Sequence, residues 1–291
     1  MESHCGETMK AIIYQYWEGK MTPGNQAGHE LMKEYAESIG VEYKFELNPS
    51  WPEYARINRQ GLGRFQPHFG AFKPIFDKDF DHYDYILFCD TDVIPVTHSR
   101  KNPRKNIFAE FLGRRHEQAE NDQKPVDLWI SEEYMMPAMR ADVSIGGDIN
   151  YNNDMKWARA MKSDYGINVP FDKNKRPRVF NSGVVMYSAR ARQIAQENFP
   201  DFRRYNGTIR AVGLPPFYGC DQPYLHAMMC KYLNWEVMPY KWNSQMFFTP
   251  GTTGDNRPTS DFRREDTQFV HLQQRGADHW SKEKTIEIVN S

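Results

Sequence analysis

Short apolar runs alternate with amphipathic segments along the first part of the chain. Residues 10–17 form an apolar run, residues 24–39 follow with the spacing of a helix, and residues 41–47 repeat the strand pattern. A strand, a helix and a second strand in this order predict a βαβ unit and a parallel sheet. A further apolar run at 84–89 predicts a third strand, which is buried.

The rest of the chain continues this alternation, with one long interruption. Helices are predicted at residues 69–80, 106–118, 153–162, 189–198 and 221–233, and strands at 126–131, 183–188, 235–240 and 269–272. Residues 132–154 show no period and are rich in methionine, glycine and acidic side chains, which predicts a long surface loop. Long ordered loops in compact domains are usually functional. The pattern as a whole predicts an α/β fold.

The composition restricts the classes of partner. The 291 residues carry 37 Lys and Arg against 38 Asp and Glu, a formal net charge of -1, which does not indicate nucleic-acid binding. The four cysteines lack metal-type spacing, and a protein of this size needs no disulfide framework, which fits a reducing compartment. No transmembrane segment and no signal peptide is visible, so a soluble, cytoplasmic protein is expected.

Two carboxylates one residue apart end the third predicted strand. Asp90 and Asp92 flank Thr91 directly after the buried run. Charged side chains are rarely buried unless they are paired or bound to a cation. In open α/β sheets, ligands bind outside the carboxyl ends of the strands. The motif therefore predicts a divalent-metal site, although a structural role for both carboxylates explains it equally well when it is taken alone.

Three later segments also combine polar side chains with an element boundary. Asn-Ser-Gly at 181–183 precedes a predicted strand, where the amide and hydroxyl can bind hydroxyl groups and the glycine allows a close approach to the backbone. Asp221 and Gln222 begin a predicted helix, where Asp221 also suits an N-cap. His271 ends the last predicted strand, before a basic segment. Alone, each is explained as well by a turn, a helix cap or a structural histidine.

The four motifs, in this order, resemble those of metal-dependent glycosyltransferases of the GT-A fold, and most closely the glycogenin and lipopolysaccharide-galactosyltransferase group. That family has a strand ending in D-x-D, N-(S/A)-G before a strand, D-Q at a helix start, and a late segment with His, Gly and Lys. All four occur between Lys10 and Lys282, nearly the whole chain. The late segment departs from the family's H-x-x-G-x-x-K-P-W, because Gly276 follows His271 by five residues and no Lys-Pro precedes Trp280.

The resemblance implies one Rossmann-like GT-A domain at residues 9–291, after a disordered tail at residues 1–8. Its central mixed, mostly parallel sheet would be flanked by helices. Residues 9–130 would bind the nucleotide sugar and residues 131–291 the acceptor. The implied reaction moves a monosaccharide from a nucleoside-diphosphate sugar, with a UDP-sugar favoured, to a hydroxyl of a glycan or glycoconjugate. The loop at residues 132–154 is expected to form the acceptor side of the cleft.

The resemblance also implies roles for individual residues. The metal ligands for Mn²⁺ or Mg²⁺ would be Asp90, Asp92 and His271. Asn181, Asp221 and Gln222 would contact the transferred sugar. If the configuration inverts, a carboxylate must act as general base, and the candidates are Asp221, Asp142 and Asp148. If it is retained, as the resemblance to glycogenin favours, no base is needed. The residues expected at the donor nucleotide and its phosphates are Tyr14, Tyr16, Trp17, Lys73, Asp90, Thr91, Asp92, Gly276, His279 and Lys282.

Two other functions remain open at this stage. Asp90-Thr91-Asp92-Val93 also fits the D-x-D-x-(T/V) signature of haloacid-dehalogenase-type phosphatases, in which the first Asp is the nucleophile. That motif belongs on the first strand and continues as Gly-Thr, whereas here two βα units precede it and Ile94-Pro95 follow. The other alternative is a non-catalytic module that binds a nucleotide sugar or a glycan. Metal-dependent hydrolysis of a nucleotide sugar would distinguish an enzyme from such a module.

Overall fold

The structure is a computed structural model that describes residues 9–51, 63–97, 103–121, 123–132, 151–178, 180–248, 258, 260–273 and 277–291. The predicted tail at residues 1–8 and most of the predicted loop at residues 132–154 lie outside these ranges.

The strands and helices are numbered in chain order. The strands are β1 (Ala11–Trp17), β2 (Glu42–Leu47), β3 (Tyr85–Cys89), β4 (Val93–Pro95), β5 (Leu128–Glu132), β6 (Phe180–Ser188), β7 (Trp235–Val237), β8 (Ser244–Phe247), β9 (Ser260–Asp261) and β10 (Phe269–Gln273). The helices are α1 (Pro23–Ser38), α2 (Lys73–Phe76), α3 (Ile107–Glu120), α4 (Tyr151–Tyr165), α5 (Ala189–Asn198), α6 (Phe202–Ala211), α7 (Asp221–Tyr232) and α8 (Lys282–Asn290).

The central sheet has six strands in the order β2-β1-β3-β6-β5-β7. Neighbouring strands are parallel except at β6, which is antiparallel to both β3 and β5. The predicted α/β fold with a mixed, mostly parallel sheet is therefore confirmed. Because β6 runs in the opposite direction, its first residues lie beside the last residues of β3, and Val184 pairs with Cys89. This reversal brings the Asn-Ser-Gly segment next to the D-x-D segment.

Helices cover both faces of this sheet. Successive side chains of a strand point to opposite faces, and on β3 Phe88 packs on one side while Leu87 packs on the other. The Phe88 face is covered by α2 and by α4 to α7. The Leu87 face is covered by α1 and α3. The strand that leads to the D-x-D segment is thus buried on both sides, as its continuous apolar sequence predicts.

A second sheet of four strands has the order β4-β10-β8-β9 and lies beside the D-x-D segment. The sequence predicted β10 but not the other three strands of this sheet. These strands, β4, β8 and β9, contain three, four and two residues, which is too short for a recognisable alternation. His271 of β10 lies opposite Val93 of β4 on one side and Gln245 of β8 on the other. The second sheet therefore fixes the position of His271 relative to the carboxylates.

The helix predicted at residues 69–80 is not one α-helix. The chain forms a 3₁₀ segment (Gly63–Phe72), then α2, then a second 3₁₀ segment (Lys78–Phe80). Pro74 explains the break, because proline cannot donate the backbone hydrogen bond of a helix interior and is accommodated in a first turn. Helices α6 and α8 had no counterpart among the predicted elements. Of the helices that the structure describes, none is both long and apolar enough to cross a bilayer.

Helix α1 lies close against the D-x-D segment. It begins after Thr22, whose side chain accepts a hydrogen bond from the backbone N–H of Asn25. A Cβ atom placed on Gly28 would lie 1.8 Å from the backbone oxygen of Thr91. Only glycine permits this approach. The side chain of Thr91 is buried, and its hydroxyl donates to Oδ1 of Asn25 at 2.6 Å. Thr91 therefore anchors the segment to α1.

Candidate functional site

Three potential metal ligands meet where β3 ends. Asp90, Asp92 and His271 each offer one ligand atom, and these atoms lie within 4.8 Å of one another. Nε2 of His271 is 3.2 Å from Oδ1 of Asp92 and 3.9 Å from Oδ2 of Asp90. The His271 side chain is 5% exposed, whereas the side chains of Asp90 and Asp92 are 42% and 32% exposed. The buried imidazole thus faces two carboxylates that solvent and a ligand can reach.

Backbone hydrogen bonds hold this group in place. The N–H of Asp90 donates to the carbonyl of Gly183 at 2.8 Å, and the N–H of Leu272 donates to the carbonyl of Asp92 at 2.9 Å. The carbonyl of Asp90 accepts a hydrogen bond from Nε2 of the fully buried Gln15 at 2.8 Å. The D-x-D backbone is therefore tied to β1, β6 and β10 at once, and its carboxylates project from a rigid support.

The donor set fits a divalent cation. In an octahedral Mg²⁺ site with bonds of about 2.1 Å, adjacent ligand atoms are about 3 Å apart and opposite ones about 4.2 Å apart. The separations of 3.2 and 3.9 Å from Nε2 to the carboxylate oxygens fall within that range. Carboxylates suit Mg²⁺ and Mn²⁺, and an imidazole nitrogen favours Mn²⁺ of the two. The three side chains thus form a possible metal site.

The electrostatics of Asp90 are those of a crowded acidic site. The pKa of Asp90 is raised to about 7 as the net result of partial desolvation of its carboxyl group and the negative charges of Asp92 and Asp221, which raise it, and of nearby His271, which lowers it. Like charges at close range disfavour ionisation of both groups. A bound cation would relieve this repulsion. The contribution of Asp221 also indicates that this carboxylate lies within electrostatic reach of the D-x-D segment.

Gly183 lies directly against the three ligands. A Cβ atom at this position would be 2.3 Å from Cε1 of His271 and 2.8 Å from Oδ2 of Asp90. The sequence pattern indicated close approach of a ligand to this backbone. In the structure, the groups that approach it are the side chains of the metal site itself. Glycine is thus required for the ligands to come together.

Two buried asparagine side chains connect β6 to the imidazole. Oδ1 of Asn181 accepts from the backbone N–H of Gly183 at 3.0 Å and from Nδ2 of Asn243 at 2.9 Å. Oδ1 of Asn243 lies 3.1 Å from Nδ1 of His271. Sequence reasoning missed Asn243, because it follows a 3₁₀ turn (Tyr240–Trp242) and belongs to no motif. The role predicted for Asn181 at the transferred sugar stays a prediction.

The Asp-Gln pair at the start of α7 also reaches this edge of the sheet. The residue that caps α7 is Cys220, and no side chain forms a capping hydrogen bond, so the capping interpretation of Asp221 was wrong. The carboxylate of Asp221 instead accepts from the hydroxyl of Ser182 at 2.8 Å. Oε1 of Gln222 accepts from the backbone N–H of Ser182 at 3.4 Å. Residues 181–183 thus link the metal site to the helix start.

Four of the residues predicted at the nucleotide lie on β1 and at the start of α2. Tyr14 is fully buried and donates to Oε2 of Glu46 at 3.2 Å. Tyr16 donates to the carbonyl of His68 at 3.0 Å, and Trp17 ends the strand half-buried. Nζ of Lys73 lies 2.7 Å from Oε2 of Glu46. The side chains of Tyr14, Tyr16 and Lys73 therefore have partners within the described part of the protein. The roles of all four residues at the donor stay predictions.

Two further predicted residues, His279 and Lys282, lie in the turn at residues 277–279 and at the start of α8. Nζ of Lys282 is 3.2 Å from Oε2 of Glu30 and 2.7 Å from Oε1 of Glu34, so α1 already balances its charge. His279 is exposed in a turn. Asp142, Asp148 and Gly276 lie outside the described residues. The roles predicted for these residues are untested by the structure.

No protein-family model and no curated protein matches the chain. Solved structures do match. One is a glycosyltransferase involved in the glycosylation of the major capsid of PBCV-1, with 13% identity, a TM-score of 0.43, and 96% of this chain and 98% of that chain covered. A second is the galactosyltransferase LgtC, in complex with donor and acceptor sugar analogs, with 13% identity, a TM-score of 0.42, and 96% and 95% coverage. A third is the apo form of the glycosyltransferase GlyE of Streptococcus pneumoniae TIGR4, with 13% identity and a TM-score of 0.35, where the match covers 81% of this chain and 46% of that one. All three TM-scores lie below 0.5, so these matches carry no argument about function.

Proposed function

We propose that the protein is a metal-dependent glycosyltransferase that moves a monosaccharide from a nucleoside-diphosphate sugar to a hydroxyl of a glycan or glycoconjugate. A UDP-sugar is the favoured donor, as the motif resemblance implies. One observation carries the proposal. The carboxylates of Asp90 and Asp92, the imidazole of His271 and the Ser182–Asp221 pair converge at one edge of the sheet, although they come from distant parts of the chain.

Asp90, Asp92 and His271 would hold Mn²⁺, or Mg²⁺, against the diphosphate of the donor. The bound ion supplies Lewis-acid stabilisation of the negative charge on the departing diphosphate, without proton transfer. The protein's part is to keep the three ligand atoms at fixed separations. Gly183 has no side chain that would displace the ligand atoms, and backbone hydrogen bonds hold Asp90 and Asp92 in position. Such preorganisation makes the ligands effective at the moment of reaction.

Ser182, Asp221 and Gln222 would position the transferred sugar. The Ser182 hydroxyl donates to Oδ2 of Asp221, so this carboxylate is held in one orientation. Its oxygens can accept hydrogen bonds from sugar hydroxyls. In the transition state the anomeric carbon gains positive character, and the negative charge of Asp221 near the metal site stabilises it. The resemblance favours retention of configuration, in which this group positions the sugar and no general base is needed.

The proposal is tested by a thermal-shift panel of nucleotide sugars with and without Mn²⁺. A ligand that binds only the folded protein raises its melting temperature. We expect one donor to raise the melting temperature in the presence of Mn²⁺ and not after treatment with EDTA. The same donor should be hydrolysed slowly when Mn²⁺ is present. A protein that no nucleotide sugar stabilises, with or without metal, would contradict the proposal.

Incubation of the protein with the donor and Mn²⁺, followed by analysis of the products and of the protein, distinguishes the alternatives. A binding module would be stabilised by a nucleotide sugar but would release no nucleoside diphosphate during long incubation. A haloacid-dehalogenase-type phosphatase would form a covalent phosphate on Asp90, which mass spectrometry of the quenched reaction would detect. Donor hydrolysis without a phosphorylated aspartate is the result expected of a glycosyltransferase.

A further inference from the structure

We propose that Asn243 is a positioning residue that holds the His271 ring in the tautomer with its proton on Nδ1. In that tautomer Nε2 carries the lone pair and faces the two carboxylates. The inference deepens the proposed function, since it names a residue outside the motifs on which the metal site depends.

A chain of three hydrogen bonds fixes the assignment. The backbone N–H of Gly183 is a donor only, so the atom of Asn181 that lies 3.0 Å from it must be the amide oxygen. The group of Asn243 that lies 2.9 Å from that same oxygen must then be its NH₂. Hence the oxygen of Asn243 faces Nδ1 of His271 at 3.1 Å. An oxygen without a hydrogen can only accept, so Nδ1 must carry the proton.

Burial prevents the amide groups from adopting the opposite orientations. Asn243, His271 and Asn181 are 0%, 4% and 5% exposed. Buried polar groups keep their hydrogen-bond partners, because water cannot replace a lost partner there. A flip of either amide would set two oxygens, or two donors, against each other. The orientation is therefore transmitted from the backbone of β6 to the imidazole.

The other tautomer would obstruct the site. With the proton on Nε2, His271 would donate to Oδ1 of Asp92, which lies 3.2 Å away. The proton itself would occupy the Nε2 lone pair that a cation needs, and the hydrogen bond would occupy one lone pair of Oδ1 of Asp92. Metal-binding histidines generally donate their second N–H to a carbonyl or a carboxylate, which fixes the tautomer and the ring orientation. The amide oxygen of Asn243 is in the position to accept it.

The tautomer can be measured directly in the metal-free wild-type protein. Two-bond ¹⁵N–¹H correlation spectra of ¹⁵N-histidine-labelled protein, recorded at a pH where the ring is neutral, distinguish the protonated nitrogen from the unprotonated one. The His271 signals are assigned from their absence in His271→Gln. We expect Nδ1 to be protonated and Nε2 unprotonated. A proton on Nε2 would overturn the inference, whether or not the protein binds a metal.

Substitution of Asn243 tests whether its hydrogen bond to His271 supports metal binding. By calorimetry, Asn243→Ala should weaken Mn²⁺ binding roughly 10–100-fold, the usual effect of removing such a supporting partner. Asn243→Asp keeps an acceptor for Nδ1–H but sets its second carboxylate oxygen against Oδ1 of Asn181. It should therefore bind Mn²⁺ more tightly than the alanine variant and less tightly than the wild type. Equal weakening in both variants would overturn the role of Asn243 as the acceptor for Nδ1–H.

Asn234→Ala is the matched control. The Asn234 amide donates to the carbonyls of Lys124 and Pro125 at 2.8 and 3.0 Å, on the segment before β5, and this variant should bind Mn²⁺ like the wild type. If the wild type takes up no Mn²⁺, the proposed function fails, while the NMR measurement still decides the tautomer. If the wild type and Asn243→Ala bind Mn²⁺ equally, only the present inference fails. Should Asn243→Ala not fold, the wild-type spectra alone decide.

Discussion

Replacing Gly183 with alanine perturbs the site by a single methyl group. Gly183 does not have a positive φ, so alanine can adopt the same backbone conformation. The new Cβ would lie 2.3 Å from Cε1 of His271 and 2.8 Å from Oδ2 of Asp90. Carbon atoms in contact prefer separations of about 3.5–4.0 Å. The imidazole must therefore move by more than about 1 Å, or β6 must shift away from it.

Neither the His271 ring nor the Asp90 carboxylate can move away without losing packing or hydrogen bonds. His271 is 4% exposed, and its ring is bound to Asn243. The backbone of Asp90 is hydrogen-bonded to Gly183 itself. Adding a methyl group to such a packed position costs about 1–3 kcal/mol of stability. Displacing a ligand should in addition weaken Mn²⁺ binding by roughly 10–100-fold, the size of effect seen when the support of a ligand is removed.

The assay combines urea unfolding with calorimetric titration of Mn²⁺. A lower midpoint at an unchanged slope reports a change in stability alone. Gly113→Ala on α3 is the control, because a Cβ there meets nothing within 4 Å. That variant should gain about 0.5–1 kcal/mol from the higher helix propensity of alanine and bind Mn²⁺ normally. If Gly183→Ala matches the wild type in both stability and Mn²⁺ affinity, the packing described here is wrong.

Three further predictions concern single side chains. Asp92→Asn should abolish Mn²⁺ uptake in calorimetry while circular dichroism shows an unchanged fold, since this side chain is 32% exposed; retained transfer at saturating metal would contradict its role as a ligand. Ser182→Ala should lower kcat by up to about 100-fold, because the carboxylate of Asp221 loses its orientation, while the Kd for Mn²⁺ stays unchanged; a parallel loss of both would place Ser182 in the metal site instead. Burial raises the pKa of Glu46, but hydrogen bonds from Lys44 and Lys73 outweigh it and hold that pKa below its usual 4.5. The stabilisation that ionised Glu46 gives the folded protein is therefore complete above pH 4.5. It is lost as the pH falls through the lower pKa that Glu46 has in the folded state. The difference in unfolding free energy between the wild type and Glu46→Gln should narrow in acid, as measured by urea unfolding at neutral pH and at about pH 3, and a constant difference would argue against the pairing.

Local sequence was sufficient where a single segment determines its own structure. The apolar run ending in Asp90 was predicted as a buried strand, and Tyr85–Cys89 is buried throughout. The helix at residues 189–198 has the predicted bounds, with Ser188 as its N-cap. Both structures depend on local features, which are the apolar continuity of the strand and the Ser188 hydroxyl directly before the helix. The motifs likewise pointed to Asp90, Asp92 and His271 as metal ligands, and these three side chains lie together in the structure.

Hydrogen bonds between residues far apart in the sequence could not be predicted from local patterns. Asn243 belongs to no motif, and only the packing of β8 against β10 brings it to His271. The pairing of Asp221 with Ser182, 39 residues away, replaced the helix cap that its position suggested. Lys73 was expected near the donor, and the structure pairs it with Glu46 of β2. A side chain's partner depends on which strands become neighbours, and this is not encoded by the spacing around it.

The sequence by itself determined most of the longer elements, the burial of β3 and the acidic pair at its end, because hydrophobic periodicity is a local property. The tertiary structure decided that β6 runs opposite to β3, so that the start of one strand meets the end of the other. It also decided that a second sheet of very short strands carries His271 to the carboxylates. Strand direction and sheet order minimise the free energy of the whole core, and no single segment contains that information.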